Sequence, residues 1–131
     1  MSRRRSKILS ERELEVMRAV WKLGKASVKE IRQEMGGESA GAYTSIATML
    51  KFLEKKGVLR HVQIGRSYYY SANTSQSAEQ QKALKFILQG YFEGNWKILL
   101  KLLPRISRMT MEERSMIHNL IAELKRGESY P

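Results

Sequence analysis

The fold is decided by residues 40–57, which spell AGAYTSIATMLKFLEKKG and predict a single helix stopped by a glycine. Apolar residues recur there at the spacing of one helical stripe: Ile46, Met49, Leu50 and Leu53. The opposite face carries short hydroxyl side chains and then lysines: Thr44, Thr48, Lys51 and Lys55, with Ser45 and Ala47 at its margins. A DNA recognition helix has this pattern, because small polar groups contact base edges and lysines contact phosphates. Taken alone, the pattern suits an ordinary surface helix better.

Two shorter helices are predicted upstream, and each begins with a capping box. Ser10 with Glu13, and Ser27 with Glu30, have the spacing at which side chain and backbone cap each other. The inner faces of these helices are expected to carry Leu14, Met17, Val20, Trp21, Val28, Ile31 and Met35. Two short helices before a longer third predict a helix-turn-helix.

Two strand-like runs follow the third helix. Residues 58–64, VLRHVQI, and residues 67–72, SYYYSA, flank a Gly65-Arg66 turn and predict a β-hairpin. Three helices followed by a hairpin is the order of a winged helix-turn-helix domain, which we assign to residues 1–75. Arg60 on the first strand and Arg66 at the tip are expected to contact DNA phosphates, together with a flexible basic arm at residues 2–7.

Residues 76–131 predict three further helices with more apolar surface than a module of this size can bury alone. Their expected N-caps are Ser77, Asn95 and Thr110, and Pro104 is expected to end the middle helix. A second copy of the chain is the simplest cover, so this half is predicted to be a helical dimerisation region. The residues assigned to that interface are Leu84, Ile87, Leu88, Leu99, Leu102, Leu103, Ile117, Leu120 and Leu124. The alternative is a monomer whose helices fold back on the winged helix.

Composition narrows the class of partner. The net charge is +11, and residues 1–75 hold 15 Lys and Arg against 7 Glu, compared with 9 against 6 in the remainder. This basic excess indicates double-stranded DNA as the partner. Cysteine is absent, and no apolar run approaches the length of a membrane span or forms a secretory signal, so a cytoplasmic protein without membrane insertion is expected.

No pattern of an enzyme or a metal site is present in the sequence. His61 and His118 are too far apart to form a local metal-binding motif, and no glycine-rich phosphate-binding loop occurs. We therefore expect no catalysis, no metal and no cofactor.

Three stretches carry a resemblance to a known family: LSERELEVMRAVWKLGKASVKEI at 9–31, AYTSIATMLKFLEKKGVLR at 42–60 and GRSYYYSA at 65–72. Their more specific parts are Glu15, Met17 and Trp21, and then Leu53, Lys56 and Gly57. The whole chain resembles the penicillinase repressors of the BlaI/MecI type. The resemblance implies a cytoplasmic, dimeric winged-helix repressor that binds a palindromic operator and controls genes of the β-lactam-resistance kind. It also implies a membrane metalloprotease that senses β-lactams and triggers cleavage of the repressor.

The chain departs from that family at three points. The best-known members carry arginines at the positions of Ala47 and Phe52, so their operator sequence does not carry over. Those members are cut at an Asn-Phe bond, and the nearest match here is Lys101-Leu102. The copper-responsive relatives sense metal with a Cys-rich tail, a route that the absence of cysteine excludes.

The sequence thus predicts a mainly helical protein with a small β-hairpin that represses transcription as a homodimer. Base-edge contacts are expected from Thr44, Ser45, Thr48 and Lys51, and backbone contacts from Lys55, Arg60 and Arg66. Two alternatives stay open. One is a winged-helix protein-interaction module. The other is a regulator that senses a small ligand, for which a cavity near Tyr91 and Trp96 would be the sign.

Overall fold

A computed structural model describes residues 8–127, so the basic arm predicted at residues 2–7 lies outside the described part of the chain. The chain divides into two compact units between Ala83 and Leu84. The domain boundary at 75/76 that the sequence suggested falls at the start of a helix, Gln76–Phe92, whereas the contacts divide the chain within that helix.

The first unit is a winged helix-turn-helix. Its elements are α1 (Glu11–Leu23), β1 (Lys25–Ser27), α2 (Val28–Glu34), a 3₁₀ turn (Gly37–Ala40), α3 (Tyr43–Lys55), β2 (Leu59–Ile64), β3 (Ser67–Ala72) and the first turns of α4 (Gln76–Phe92). The predicted hairpin is therefore confirmed. The sheet has a third strand that the sequence did not indicate, because β1 pairs antiparallel with β3 and places Ala26 opposite Tyr70.

The core of this unit lies between α1, α3 and the sheet. The predicted stripe of α3 is confirmed: Ile46, Leu50 and Leu53 are fully buried, and Met49 packs against them. Tyr70 enters the same core from β3. Burying each aliphatic side chain of this size is worth about 1.5–3 kcal/mol, so the stripe fixes which face of α3 points outward.

Local capping sets where α1 and α2 begin. Ser10 Oγ accepts a hydrogen bond from Glu13 N, and the Glu13 carboxylate accepts one from Ser10 N. Ser27 and Glu30 repeat both bonds at the start of α2. Gly24 ends α1 with a φ of 83°, a positive value that glycine adopts without a steric penalty.

The second unit comprises the rest of α4 with α5 (Trp96–Ile106) and α6 (Met111–Gly127). Asn95 caps α5 and Thr110 caps α6, as predicted. Two expectations were wrong. Ser75 rather than Ser77 caps α4, because its hydroxyl accepts from Ala78 N. Pro104 lies inside α5, which continues to Ile106; one missing N–H in the last turn does not end the helix.

Burial differs sharply between the two units. Within residues 84–127, no residue is fully buried, whereas the first unit holds all of the buried core. Across residues 8–127, no helix combines the length and the apolar character needed to cross a membrane.

Candidate nucleic-acid interface

The outward face of α3 carries the residues that the sequence assigned to base edges. Thr44, Ser45, Thr48 and Lys51 are all exposed. The three hydroxyl residues line a shallow groove together with Met49 and Phe52. Phe52 is 50% exposed. A large aromatic side chain that stays half exposed on this face adds an apolar surface beside the hydroxyls.

A second groove separates α3 from the hairpin, which forms the wing. Its volume is about 610 Å³, and three cations line it: Lys29, Lys51 and Arg66. The aromatic side chains that line it are Tyr43, Tyr68, Tyr69 and Tyr70. The structure thus brings Lys51 of the helix and Arg66 of the wing to one groove, where positive charge and hydroxyl donors face the same space.

Sequence reasoning assigned neither Tyr43 nor Lys29 to this groove. Tyr43 lies one turn before Ala47, so the i, i+4 spacing could have placed it on the wing side of the helix. Lys29 comes from α2, which lies remote from the wing in sequence, and no local pattern indicated it.

Arg60 lies apart from these two grooves. It is exposed at the start of β2, and its Nη1 donates to Ala72 O at 2.9 Å and to Asn73 Oδ1 at 2.8 Å. These bonds close the base of the hairpin, so the structure gives Arg60 a structural role in addition to the phosphate contact that the sequence predicted.

The start of α3 is held by two arginines of neighbouring helices. Arg12 Nη2 donates to Ala40 O, and Arg32 Nε donates to Gly41 O at 2.8 Å. Gly41 has a φ of 109°, and a Cβ at this position would meet Arg12 Nη2 at 3.2 Å. The turn before the recognition helix is therefore set by carbonyl–guanidinium bonds, and the N-cap residue Ala42 provides no side-chain bond.

The end of α3 is held by an ion pair to α1. Lys56 Nζ lies 3.2 and 3.1 Å from the carboxylate oxygens of Glu13, whose side chain is 6% exposed. Burial raises the pKa of Glu13, but the Ser10 backbone amide and the Lys56 ammonium outweigh it and hold the pKa below its ordinary value. This pair explains the Lys56-Gly57 ending without assigning the lysine to DNA.

Four basic side chains on α2, α3 and the wing tip lack a partner within the described part of the chain. Among the described residues, no hydrogen bond or ion pair engages the side chains of Lys29, Lys51, Lys55 or Arg66. By contrast, Lys22 pairs with Glu34 at 2.8 Å, an interaction that raises the pKa of Lys22. Of the four cations without such a bond, Lys29, Lys51 and Arg66 line the groove between α3 and the wing.

The predicted interface residues of the second unit are spread over α4, α5 and α6. Leu84, Leu120 and Leu124 are 53%, 43% and 40% exposed. The other six are half-buried: Ile87, Leu88, Leu99, Leu102, Leu103 and Ile117. Within the described part of the chain, these apolar side chains are therefore covered only in part.

Known proteins include relatives of this chain in sequence and in structure. The family model described as "Penicillinase repressor" matches residues 9–123. The penicillinase repressor of Bacillus licheniformis is 27% identical over 117 residues, which is 89% of this chain and 91% of the relative. The solution structure of the DNA-binding domain of the repressor BlaI is 34% identical, with a TM-score of 0.49, over 58% of this chain and 93% of that chain. The BpsR structure from Bordetella bronchiseptica is 13% identical, with a TM-score of 0.51, over 93% and 83% of the two chains, and this likeness shows a shared fold.

Proposed function

We propose that this chain, which belongs to the penicillinase repressor family, represses transcription as a cytoplasmic homodimer bound to a palindromic operator. The family establishes the broader role: the protein is a DNA-binding transcriptional repressor and not an enzyme. The operator, the dimer and the individual DNA contacts are our inference from the geometry.

One observation carries the proposal. The exposed hydroxyl face of α3 lies beside a groove in which Lys29, Lys51 and Arg66 have no partner in the described structure. An α-helix fits the major groove of B-DNA, and hydroxyl side chains can bond to base edges there. We assign base contacts to Thr44, Ser45 and Thr48. Lys51, which the sequence placed at base edges, is assigned instead to phosphates together with the wing arginine, because it lines the helix–wing groove.

The helix–wing groove is where we place one strand of the DNA backbone. Cations from α2, α3 and the wing line it, and the hydroxyl groups of Tyr43 and Tyr68 can donate to phosphate oxygens. We assign Lys55 and Arg60 to neighbouring phosphates. Since backbone contacts carry no sequence information, these residues supply affinity while the hydroxyl face of α3 supplies specificity.

A second copy of the chain is the cover we propose for the second unit. The half-buried and exposed leucines and isoleucines of α4, α5 and α6 would form the dimer interface. Each leucine that a partner buries contributes about 1.5–3 kcal/mol. A two-fold dimer presents two recognition helices to one side of the duplex, so half-sites should be whole helical turns apart, about 10–10.5 base pairs each.

Genes of the β-lactam-resistance kind are the regulated genes that the relative named penicillinase repressor suggests. Release by a membrane-linked protease is the matching induction route. The candidate bond, Lys101-Leu102, lies inside α5, where Lys101 is exposed and Leu102 is half-buried. A protease that binds extended substrate would need α5 to unfold locally first.

Selection from a random-sequence DNA pool, followed by a salt titration on the selected duplex, tests the proposal. About 6–10 phosphate contacts per dimer predict a loss of ~10³–10⁵ in affinity between 50 and 200 mM salt. The selected sites should contain an inverted repeat. A log–log salt slope shallower than about −3, or selected sites without two-fold symmetry, would contradict it.

A specific observation also supports the ligand-sensing alternative, at a place the sequence did not indicate. A cavity of about 380 Å³ within the first unit is lined by Leu9, which precedes α1, and by residues of α1 and α4 that include Leu14, Trp21 and Ala83. Tyr91, which the ligand-sensing alternative placed near a cavity, is instead 80% exposed. A small apolar ligand in this cavity would change the fluorescence of Trp21. Unchanged Trp21 emission across a library of small aromatic and aliphatic compounds would argue against this second function.

A further inference from the structure

The outer half of the wing has little apolar packing to fix its angle. Residues 62–69 include no fully buried residue, and Val62 and Ile64 are 46% and 56% exposed. The base of the hairpin, in contrast, is anchored by Leu59 and Tyr70 in the core. Pairing of β1 with β3 reaches only as far as Tyr69, so contacts beyond the core and this pairing must hold the tip residue Arg66 beside α3.

A polar and aromatic bracket joins the wing to the last turn of α3. His61 Nδ1 lies 2.7 and 2.8 Å from the two carboxylate oxygens of Glu54. The His61 ring stacks on Tyr68, with centroids 4.4 Å apart and planes 19° from parallel, and it also meets Tyr70 at 5.6 Å. One imidazole on β2 thus contacts the recognition helix and two tyrosines of β3, the buried Tyr70 and the exposed Tyr68.

Strand register explains why one residue can make all these contacts. His61 pairs with Tyr70, and Gln63 pairs with Tyr68, so these side chains share the sheet face that looks toward α3. The ring of Tyr68 lies diagonally across the strands from His61 and is 41% exposed at the groove. A stacked partner restricts that ring, and Glu54 restricts the imidazole in turn.

We propose that His61 is a positioning residue for DNA binding: through Glu54 and Tyr68 it holds the wing so that Arg66 reaches its phosphate. The inference rests on the proposed function, because it concerns the same groove. It assigns affinity to a side chain that faces the helix rather than the DNA. Neither the phenylalanine nor the glutamine analogue of His61 reproduces the bracket, since one loses the bond to Glu54 and the other loses the stack.

The test compares His61→Phe, Arg66→Ala and the double variant as full-length proteins, on a duplex selected by the wild-type protein from a random pool. His61→Phe should weaken binding on the order of tenfold, and the double variant should bind about as weakly as the weaker single variant. His61→Phe removes no cation from the groove, yet it should lower the salt slope by about one per subunit, as Arg66→Ala does. Val62→Thr is the matched control on the outer face of the same strand and should change neither quantity.

The outcomes separate the bracket from a general structural role. Additive losses, or an unchanged salt slope in His61→Phe, would overturn the positioning role. If His61→Phe is unfolded, Glu54→Ala replaces it, because Glu54 is the helix end of the bracket and is partly exposed. Its loss of affinity must then be non-additive with that of Arg66→Ala. If the wild-type protein itself shows no salt-dependent DNA binding, the proposed function fails along with this inference. If wild type and Arg66→Ala behave as proposed and both bracket variants match wild type, only the positioning role fails.

Discussion

Removing the ammonium group of Lys56 tests how the recognition helix is held. Lys56→Met keeps most of the aliphatic side chain but leaves the Glu13 carboxylate, 6% exposed, with only Ser10 as a close partner, whose backbone amide donates to it at 2.8 Å. Breaking one side of a buried ion pair costs about 3–5 kcal/mol. Because the Ser10 bond remains and Lys56 is 16% exposed, we expect a loss of about 2–3 kcal/mol in the free energy of unfolding.

The assay follows urea unfolding of the full-length chain through a fluorescence reporter that lies in the first unit. The chain has two tryptophans, so a Trp96→Phe background leaves Trp21 of α1 as the only indole reporter. Lys55→Met is the matched control, because Lys55 is exposed and its loss should change stability by less than about 0.5 kcal/mol. A loss below about 1 kcal/mol for Lys56→Met, or one equal to that of the control, would refute the buried-pair account.

The same pair gives stability a defined pH dependence. The folded-state pKa of Glu13 lies below the ordinary value of 4.5, so the unfolded chain binds this proton more readily. The stabilisation from Glu13 is therefore complete above about pH 5 and is lost as the pH falls through the folded-state pKa. The difference in stability between wild type and Lys56→Met should shrink as the pH falls below 4.5. A difference that stays constant down to pH 3 would show that the carboxylate is not the group involved.

Three further variants test the DNA face and the dimer. Thr48→Ala should cost about 1–3 kcal/mol at one base position and relax specificity there, whereas Arg66→Ala should weaken selected and random duplexes alike. Equal loss on both duplexes for Thr48→Ala would remove that residue from the base contacts. Replacing Leu120 and Leu124 together with Glu should give a monomer with weak operator binding, because charges would be buried in the interface and the two half-sites would bind separately. His118→Glu, at an exposed position of the same helix, is the control. If sedimentation shows that the double variant is still a dimer, the interface lies elsewhere.

The parts of the fold that the sequence predicted are those set by local chemistry. Capping boxes at Ser10 and Ser27 depend on residues three positions apart, and the buried stripe of α3 depends on helical spacing. A glycine-containing turn between two strand-like runs was enough to predict the hairpin. These signals act within a few residues, so no knowledge of the tertiary structure was needed.

The parts that the sequence left out depend on distant partners. Lys25–Ser27 has no strand pattern, and it is a strand because β3 offers a free edge. Glu13 was assigned only a capping role, but Lys56, far along the chain, neutralises it and permits its burial. His61 gave no local motif because its partners, Glu54 and Tyr68, come from two other elements. The groove between α3 and the wing combines residues in the same way, and that is why Lys29 of α2 was missed.

Directed cleavage of DNA from Thr48 tests the central claim most directly. The chain has no cysteine, so Thr48→Cys provides a unique thiol for an iron chelate that cuts nearby DNA. Glu11→Cys, at an exposed position in the first turn of α1, is the matched control. With two recognition helices in successive major grooves, the chelate at position 48 should cut at two symmetric clusters, spaced by a whole number of helical turns of about 10–10.5 base pairs. One cluster, evenly spread cutting, or the same pattern from position 11 would contradict a dimer that places α3 in the major groove.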